Sequence, residues 1–214
     1  MAIPENLTAV DLCLNIPGED NSQWFEFIRP LLMDKESRDS FKMPAQYMFK
    51  NIPNISGEED FIAFTVAEMD KYNIRKAMLD VDEDNEVSKK ALERFPDRFF
   101  SSLSVDPNRG MDEVRKIVRL YKKFNLKAVT GFPAGTCPQV PINDKKWYPI
   151  YAKLVELDLP FCVCVGVPGP RLPFECQKVE LLDEVCWFFP ELKVVMRHGA
   201  CLLYTSDAAD EEDS

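Results

Sequence analysis

The sequence lacks a long apolar run and an excess of basic residues. No stretch reaches the roughly eighteen apolar residues that a membrane-spanning helix needs, and residues 1–5 lack the basic and apolar regions of a secretory signal peptide. Lysine and arginine total 26 against 36 aspartates and glutamates, which gives a formal net charge of −10. Polyanions would be repelled, so we expect neither nucleic acid nor a membrane among the partners.

A regular disulfide framework is also missing, and histidine is almost absent. The cysteines number seven, an odd count with no regular spacing. Free thiols in a reducing cytoplasm are therefore the natural interpretation, and we expect a cytoplasmic protein. His198 is the single histidine among 214 residues. The composition is otherwise ordinary for a globular chain, with 46% hydrophobic and 29% charged residues.

One short apolar run, residues 161–167, predicts a strand that is buried on both faces. Side chains alternate along a strand, so Cys162 and Cys164 share one face. Phe161 and Val163 lie on the other face, which suits packing against helices. Cys164 falls near the carboxyl end, where the chemistry of parallel α/β folds gathers. A buried structural thiol is the alternative interpretation of this residue.

Five other segments have the same strand character, and helical segments separate them. The six predicted strands are residues 9–15, 77–81, 99–105, 127–132, 161–167 and 193–198. This alternation is typical of repeated right-handed βαβ units, which build either a doubly wound sheet or an eight-stranded barrel. We favour the barrel because candidate site residues end strands one, five and six, which a closed ring brings together. The predicted fold is an incomplete TIM-type (β/α) barrel with about six of eight parallel strands.

The connection after the first strand is much longer than the others. Residues 16–56 include an aromatic helical piece at 22–33, and their aromatic content argues against disorder. Two interpretations of this segment stay open: a lid or binding element, or a simple insertion that covers one end of the core. A capping-box pattern at residues 56–59 predicts that the next helix begins there, and Asn73 is a plausible end.

Several segments, in order, resemble the amidohydrolase-related (amidohydrolase 2) family, and within it the branch around aminocarboxymuconate-semialdehyde decarboxylase. The segments are Phe95-Pro96-Asp97-Arg98-Phe99, Ser104-Val105-Asp106-Pro107, Val140-Pro141-Ile142-Asn143-Asp144, Gly166-Val167-Pro168-Gly169 and Phe189-Pro190-Glu191-Leu192-Lys193 followed by His198-Gly199. The resemblance covers about residues 9–200. It implies a metallo-dependent hydrolase-like barrel and a hydrolase or carboxy-lyase acting on a small carboxylated or cyclic substrate. Zinc or another divalent metal is the cofactor it implies, and it leaves open a homo-oligomer of the full-length parent.

The family's usual metal site is largely substituted. The family's first strand reads Asp-x-His-x-His; this chain keeps Asp11 but has Cys13 and Asn15 at the histidine positions. Cys164 replaces the strand-five histidine, whereas His198 keeps the strand-six one. Three interpretations stay open: a lost metal site in a metal-free enzyme or small-molecule binding protein, a Cys₂His metal site of Cys13, Cys164 and His198, or ordinary packing residues. A neutral asparagine is a poor zinc ligand, which favours the first, and a protein without any cofactor is as plausible as one with zinc.

Two further residues join the candidate site. Asp80 ends strand two, and with His198 it is a candidate general acid or base. A carboxylate at that place often caps the next helix instead. Asn15 and Arg197 are candidates for substrate binding, because a guanidinium binds a carboxylate through two hydrogen bonds. Strand alternation, however, sets Arg197 on the face opposite His198.

The fold pattern ends near residue 200. Residues 201–214 form an acidic stretch that resembles translated adapter sequence, so we divide the chain into a partial barrel domain, 1–200, and a non-native or disordered tail. A natural acidic tail is the alternative. A complete barrel needs about 250 residues. We therefore interpret the sequence as an inactive gene fragment, and we expect open strand edges that make it insoluble, dimeric or molten.

Overall fold

The computed structural model describes residues 7–18, 21–40, 55 and 57–198. Its six strands form one parallel sheet in strict chain order. The strands are β1 Ala9–Leu14, β2 Ile74–Asp80, β3 Phe99–Val105, β4 Ala128–Gly131, β5 Phe161–Cys164 and β6 Val194–Arg197. Parallel strands in sequential order, with helices between them, curl into part of a barrel. The predicted fold class, a partial (β/α) barrel of six parallel strands, is confirmed.

Helices connect the strands on the outside of the curled sheet. In the described part of the chain they are α1 Lys35–Ser40, α2 Phe61–Lys71, α3 Glu86–Arg94, α4 Met111–Phe124, α5 Tyr148–Glu156 and α6 Leu181–Phe188. Short 3₁₀ helices occupy Ser22–Leu31, Pro107–Arg109, Pro133–Gly135 and Glu175–Gln177. Within the described ranges, no helix is both long and apolar enough to cross a membrane.

The start of α2 differs from the prediction that it begins at residues 56–59. The helix begins after Asp60, whose carboxylate accepts a hydrogen bond of 3.1 Å from the Ala63 N–H. The same carboxylate also pairs with Arg94 of α3 at 2.6 Å. Ser56 lies outside the described residues. The predicted end is confirmed, because Asn73 follows α2 in the left-handed conformation, with φ of 55°.

Asp60 makes the stability of this helix pair sensitive to acid. The hydrogen bond from Arg94, together with the Ala63 N–H, lowers the pKa of Asp60 to about 2. A carboxyl whose folded pKa lies below its ordinary value of 3.8 stabilises the fold above that value, and the contribution disappears as the pH falls toward 2. We expect the urea midpoint of unfolding to fall less between pH 5 and pH 2.5 in Asp60→Asn than in the native chain. Asp97→Asn, at an exposed position, is the control; equal losses in both variants would contradict the assignment.

The outer face of the sheet carries the main core. Phe161 and Val163 of β5 are fully buried against Ile117 of α4 and Ile150 of α5. The prediction that this face packs against helices is therefore confirmed. Strand β5 itself is shorter than predicted and ends at Cys164. The reason is that Gly166 turns the chain with φ of 80°, and its N–H donates to the Gln177 carbonyl instead of to a neighbouring strand.

The inner face holds a second, smaller cluster. Met78, Ala128 and Cys162 are buried there, and Phe100 and Val195 pack against them. These residues come from five different strands, so the sheet is curled strongly enough for its inner face to form a packed interior. Cys164 follows Cys162 by two positions, and its side chain therefore faces the same interior, one layer nearer the carboxyl end.

Gly131, at the end of β4, is required by close packing. A Cβ atom at this position would lie 2.6 Å from Phe161 Cζ and 3.1 Å from Trp147 Cη2. Both aromatic side chains are fully buried, so neither can move aside freely. We expect Gly131→Ala to lower the free energy of unfolding by about 1–3 kcal/mol, measured by urea denaturation. Gly18→Ala is the control, because its nearest neighbour, Asn21 Oδ1, would be 3.8 Å away; equal effects would refute the packing argument.

The described part of segment 16–56 lies over the carboxyl end of the sheet. Ile28 and Leu32 are buried in a cluster with Ala134, Leu172 and Cys176, which belong to the loops after β4 and β5. Within this segment, residues 41–54 lie outside the described part of the chain. The position agrees with a covering element, and the division of the chain into a domain with a lid-like insertion stays a prediction.

The first and last strands form the two ends of the described sheet. Val10 of β1 and Met196 of β6 expose about half of their side-chain surface, 53% and 52%. Exposed apolar side chains on strands with one unpaired edge favour association. The expectation that residues 1–214 are insoluble, dimeric or molten stays a prediction.

Candidate functional site

Arg197 crosses the opening of the curled sheet from its last strand to its first. It pairs in register with Cys164, the last residue of β5. Residues paired in register on neighbouring strands point to the same side, so the Arg197 side chain shares the inner face with Cys164. Its Nη2 donates a hydrogen bond to the Cys13 Sγ of β1. The carboxyl ends of β1, β5 and β6 therefore meet at one guanidinium group.

Strand alternation does not determine how the side chains of Arg197 and His198 lie relative to each other. His198 follows β6 and has φ of 68°, so it does not continue the strand and the alternation argument does not apply to it. The residue is exposed overall, although its imidazole is partly shielded from water. Partial desolvation, and secondarily the charge of Arg197, lower the pKa of His198. It is therefore neutral at physiological pH.

Asp80 places a carboxyl group in this interior. It ends β2, and its Oδ1 accepts a hydrogen bond of 2.6 Å from the Ser104 N–H of β3. Burial raises the pKa of Asp80 to about 6, although the Ser104 N–H and the charges of Lys116 and Arg197 act in the opposite direction. A carboxyl that titrates near neutral pH is suited to general acid or base catalysis.

The alternative that Asp80 caps the next helix is wrong. The N-cap of α3 is Asn85, whose side chain accepts a hydrogen bond of 3.0 Å from the Ser88 N–H. The Asn85 amide donates to the backbone carbonyl of Asp80, at 3.1 Å, and leaves the Asp80 carboxyl to the interior.

Comparison with known proteins identifies the family and the fold. The sequence of residues 43–206 matches the amidohydrolase family. The chain belongs to that family. None of the curated proteins matches this amidohydrolase in sequence.

Solved structures share the fold of this amidohydrolase at low sequence identity. A TIM-barrel protein from Bordetella bronchiseptica is 17% identical with a TM-score of 0.59, over 91% of this chain and 68% of its own. The 5-carboxyvanillate decarboxylase of Novosphingobium aromaticivorans, with bound manganese, is 17% identical with a TM-score of 0.52, over 74% and 60%. The 2,6-dihydroxybenzoate decarboxylase of Rhizobium is 12% identical with a TM-score of 0.52, over 88% and 65%. The chain therefore spans about two thirds of the length of these structures.

The described residues form no divalent-metal site at the predicted place. Among the described residues, no group of three or more His, Cys, Asp or Glu side chains is arranged to hold a metal ion. The Cys13 sulfur already accepts a hydrogen bond from the Arg197 cation. Asn15, the other substituted position, is exposed just beyond β1. The Cys13–Cys164–His198 metal site stays an untested prediction.

A buried charge cluster beside Asp80 was missed by the sequence reasoning. Lys116 of α4 pairs with Asp82 at 2.6 Å and is only 14% exposed. One turn earlier, Glu113 is 2% exposed, and its nearest cation is Arg109, at 3.4 Å. Burial raises the pKa of Glu113. The spacing of Glu113 from the buried Ile117 and Leu120, four and seven residues, could have placed it on the apolar stripe of the helix.

A pocket of about 430 Å³ lies at the opposite end of the sheet. Asn73, Arg75 and Arg98 line it near the start of β2. Arg98 is already engaged there, because it pairs with Asp70 at 2.7 Å and donates to two backbone carbonyls. Since Asp80, Cys164 and Arg197 all lie at carboxyl ends of strands, we place the candidate site at that end.

Proposed function

We propose that this amidohydrolase converts a small organic acid by non-oxidative decarboxylation or hydrolysis, at the carboxyl end of the sheet. The observation that carries the proposal is that two groups share the inner face of the sheet. Asp80 is an acid with a pKa of about 6, and Arg197 is a cation. Acid–base chemistry needs the first, and a carboxylated substrate needs the second.

Asp80 is the proton-transfer group in either reaction. In a decarboxylation, its protonated carboxyl gives a proton to the carbon from which carbon dioxide departs, and the carboxylate left behind is stabilised by the Ser104 N–H. In a hydrolysis, the ionised form takes a proton from the attacking water. His198, neutral and exposed beside Arg197, is the second candidate proton carrier. Asn15 is a candidate for binding polar groups of the substrate.

Decarboxylation is the better supported of the two reactions. The solved structures from Novosphingobium and Rhizobium are decarboxylases of carboxylated phenols. Their likeness to this chain concerns the fold, so the substrate class is carried over as part of the proposal. A cytoplasmic location, a small-molecule partner and a homo-oligomer of the parent protein stay predictions.

The rival function is a binding protein that keeps the candidate site at the carboxyl end of the sheet but lacks the chemistry. The observation that favours it is the replacement of both first-strand histidines of the family pattern, by Cys13 and Asn15, while the Cys13 sulfur is engaged by Arg197. Such a protein would bind the same organic acids without changing them.

Incubation with a substrate panel separates the two functions. The panel contains 2,6-dihydroxybenzoate, a carboxyvanillate and a lactone, and chromatography detects loss of carbon dioxide or ring opening. We expect turnover of at least one aromatic acid. Saturable binding of these acids without any product after prolonged incubation would reject catalysis and leave the binding protein.

A further inference from the structure

Arg197 has more hydrogen-bond donors than partners. A guanidinium carries five N–H donors, and the bond recorded for it among the described residues is the one to the Cys13 sulfur. Arg197 is half-buried. Within the described ranges, no carboxylate lies at ion-pair distance from its guanidinium. A partly desolvated cation with free donors is stabilised by an anion.

The neighbours of Arg197 leave its charge largely uncompensated. Cys164 lies beside it in register and offers a buried thiol rather than a carboxylate. Asp80 is close enough for its charge to act on Arg197, but its Oδ1 is bound to the Ser104 N–H. The inner face therefore presents a cation toward the opening of the sheet.

We propose that Arg197 anchors the substrate's carboxylate and supplies the positive charge that a divalent metal would otherwise bring to this place. The anchor rests on the proposed function only for the identity of its ligand as a small organic acid. The planar guanidinium matches a carboxylate through two parallel hydrogen bonds. A divalent ion at Cys13 would be repelled by the same guanidinium, so anchor and metal exclude each other at this position.

Binding of a coloured aromatic acid tests the anchor independently of turnover. The probe is 4-hydroxy-3-methoxy-5-nitrobenzoate, titrated by calorimetry against the full chain after treatment with a chelator. The anchor predicts saturable binding that Arg197→Met weakens about tenfold or more, because a charge-assisted hydrogen bond is lost. Arg197→Lys keeps the positive charge but loses the paired N–H donors of the guanidinium. Its affinity for the probe should lie between those of the native chain and Arg197→Met. Arg75→Met, at the opposite end of the sheet, is the matched control and should bind normally.

The methyl ester of the probe separates the carboxylate from the ring. We expect the ester to bind weakly to the native chain and equally weakly to Arg197→Met. Equal binding of acid and ester, or an unchanged affinity in a folded Arg197→Met variant, would overturn the anchor. Circular dichroism of each variant establishes that it is folded, and Arg197→Lys supplies the comparison if Arg197→Met is not.

A zinc titration tests the second half of the inference. The native chain should take up no stoichiometric zinc in competition with a chromogenic chelator, whereas a Cys13→His, Asn15→His, Cys164→His, Arg197→Met variant should. One tightly bound zinc in the native chain, or acid binding that requires zinc, would overturn the proposal. Binding that depends on Arg197 without any turnover would reject the proposed catalysis and leave the anchor intact, so the two failures are distinguishable.

Discussion

Replacing Asp80 by asparagine is expected to lower turnover of the proposed substrate by at least about a hundredfold. The carboxyl is the interior group whose pKa, about 6, suits proton transfer near neutral pH, and positioned general acids or bases contribute about 10²–10⁴ in rate. Asparagine keeps an oxygen that can accept the 2.6 Å hydrogen bond from the Ser104 N–H. The variant therefore removes the proton and preserves the local geometry. The measurement is the initial rate of product formation, and a rate within threefold of the native chain would exclude Asp80 from the chemistry.

The same substitution is expected to stabilise the fold at neutral pH. The folded pKa of Asp80, about 6, lies above its ordinary value of 3.8. A raised pKa means that the folded state holds the proton more tightly, so this contribution to stability is present below about pH 4 and is lost as the pH rises through 6. The difference corresponds to at most about 3 kcal/mol. We expect Asp80→Asn to raise the urea midpoint at pH 7.5 and to have little effect at pH 4.

Asp82→Asn is the control, because it is expected to change stability at neutral pH in the opposite direction. Burial acts to raise the pKa of Asp82, but the hydrogen bonds from Lys116 and the Glu83 N–H outweigh it, and the pKa is lowered. Asp82 therefore stabilises the fold at neutral pH, and its replacement should lower the urea midpoint there. Stability changes of the same sign for Asp80→Asn and Asp82→Asn at pH 7.5 would contradict the assignment of their charges.

Trp147→Ala is expected to cost about 3–5 kcal/mol of unfolding free energy. The indole is 0% exposed. It stacks on Tyr151 with ring centres 5.9 Å apart and contacts Phe161 at 5.4 Å. Its Nε1–H donates to the buried Val140 carbonyl, at 3.3 Å, which would lose its partner. Typical domains are stable by about 5–15 kcal/mol, so the variant should be mostly unfolded in mild urea.

The chain offers a matched tryptophan for comparison. Trp187 of α6 is 82% exposed, and Trp187→Ala should change the unfolding free energy by less than about 0.5 kcal/mol. Urea denaturation followed by circular dichroism measures both variants without depending on tryptophan fluorescence. A loss below 1 kcal/mol in Trp147→Ala would mean that the ring cluster between α5 and β5 is not a main source of stability.

The candidate site was only partly predictable. Asp80, Cys164 and Arg197 could be found because strand ends in a parallel fold converge, and the strands themselves are visible as short apolar runs. The hydrogen bond from Arg197 to Cys13 could not be found, since it joins residues that are 184 positions apart and depends on how strongly the sheet curls. The role of Asp80 also needed the structure, because its pKa depends on how deeply its carboxyl is enclosed.

Local chemistry and three-dimensional assembly thus determined different properties of this protein. The alternation of apolar residues by itself determined which strand faces meet helices, as Phe161 and Val163 do, because side-chain direction follows from backbone period alone. The tertiary structure decided that Asp60, the residue that caps α2, also pairs with Arg94 of α3. It also decided that Arg197 reaches across the opening of the sheet to Cys13, because that contact joins the last strand to the first.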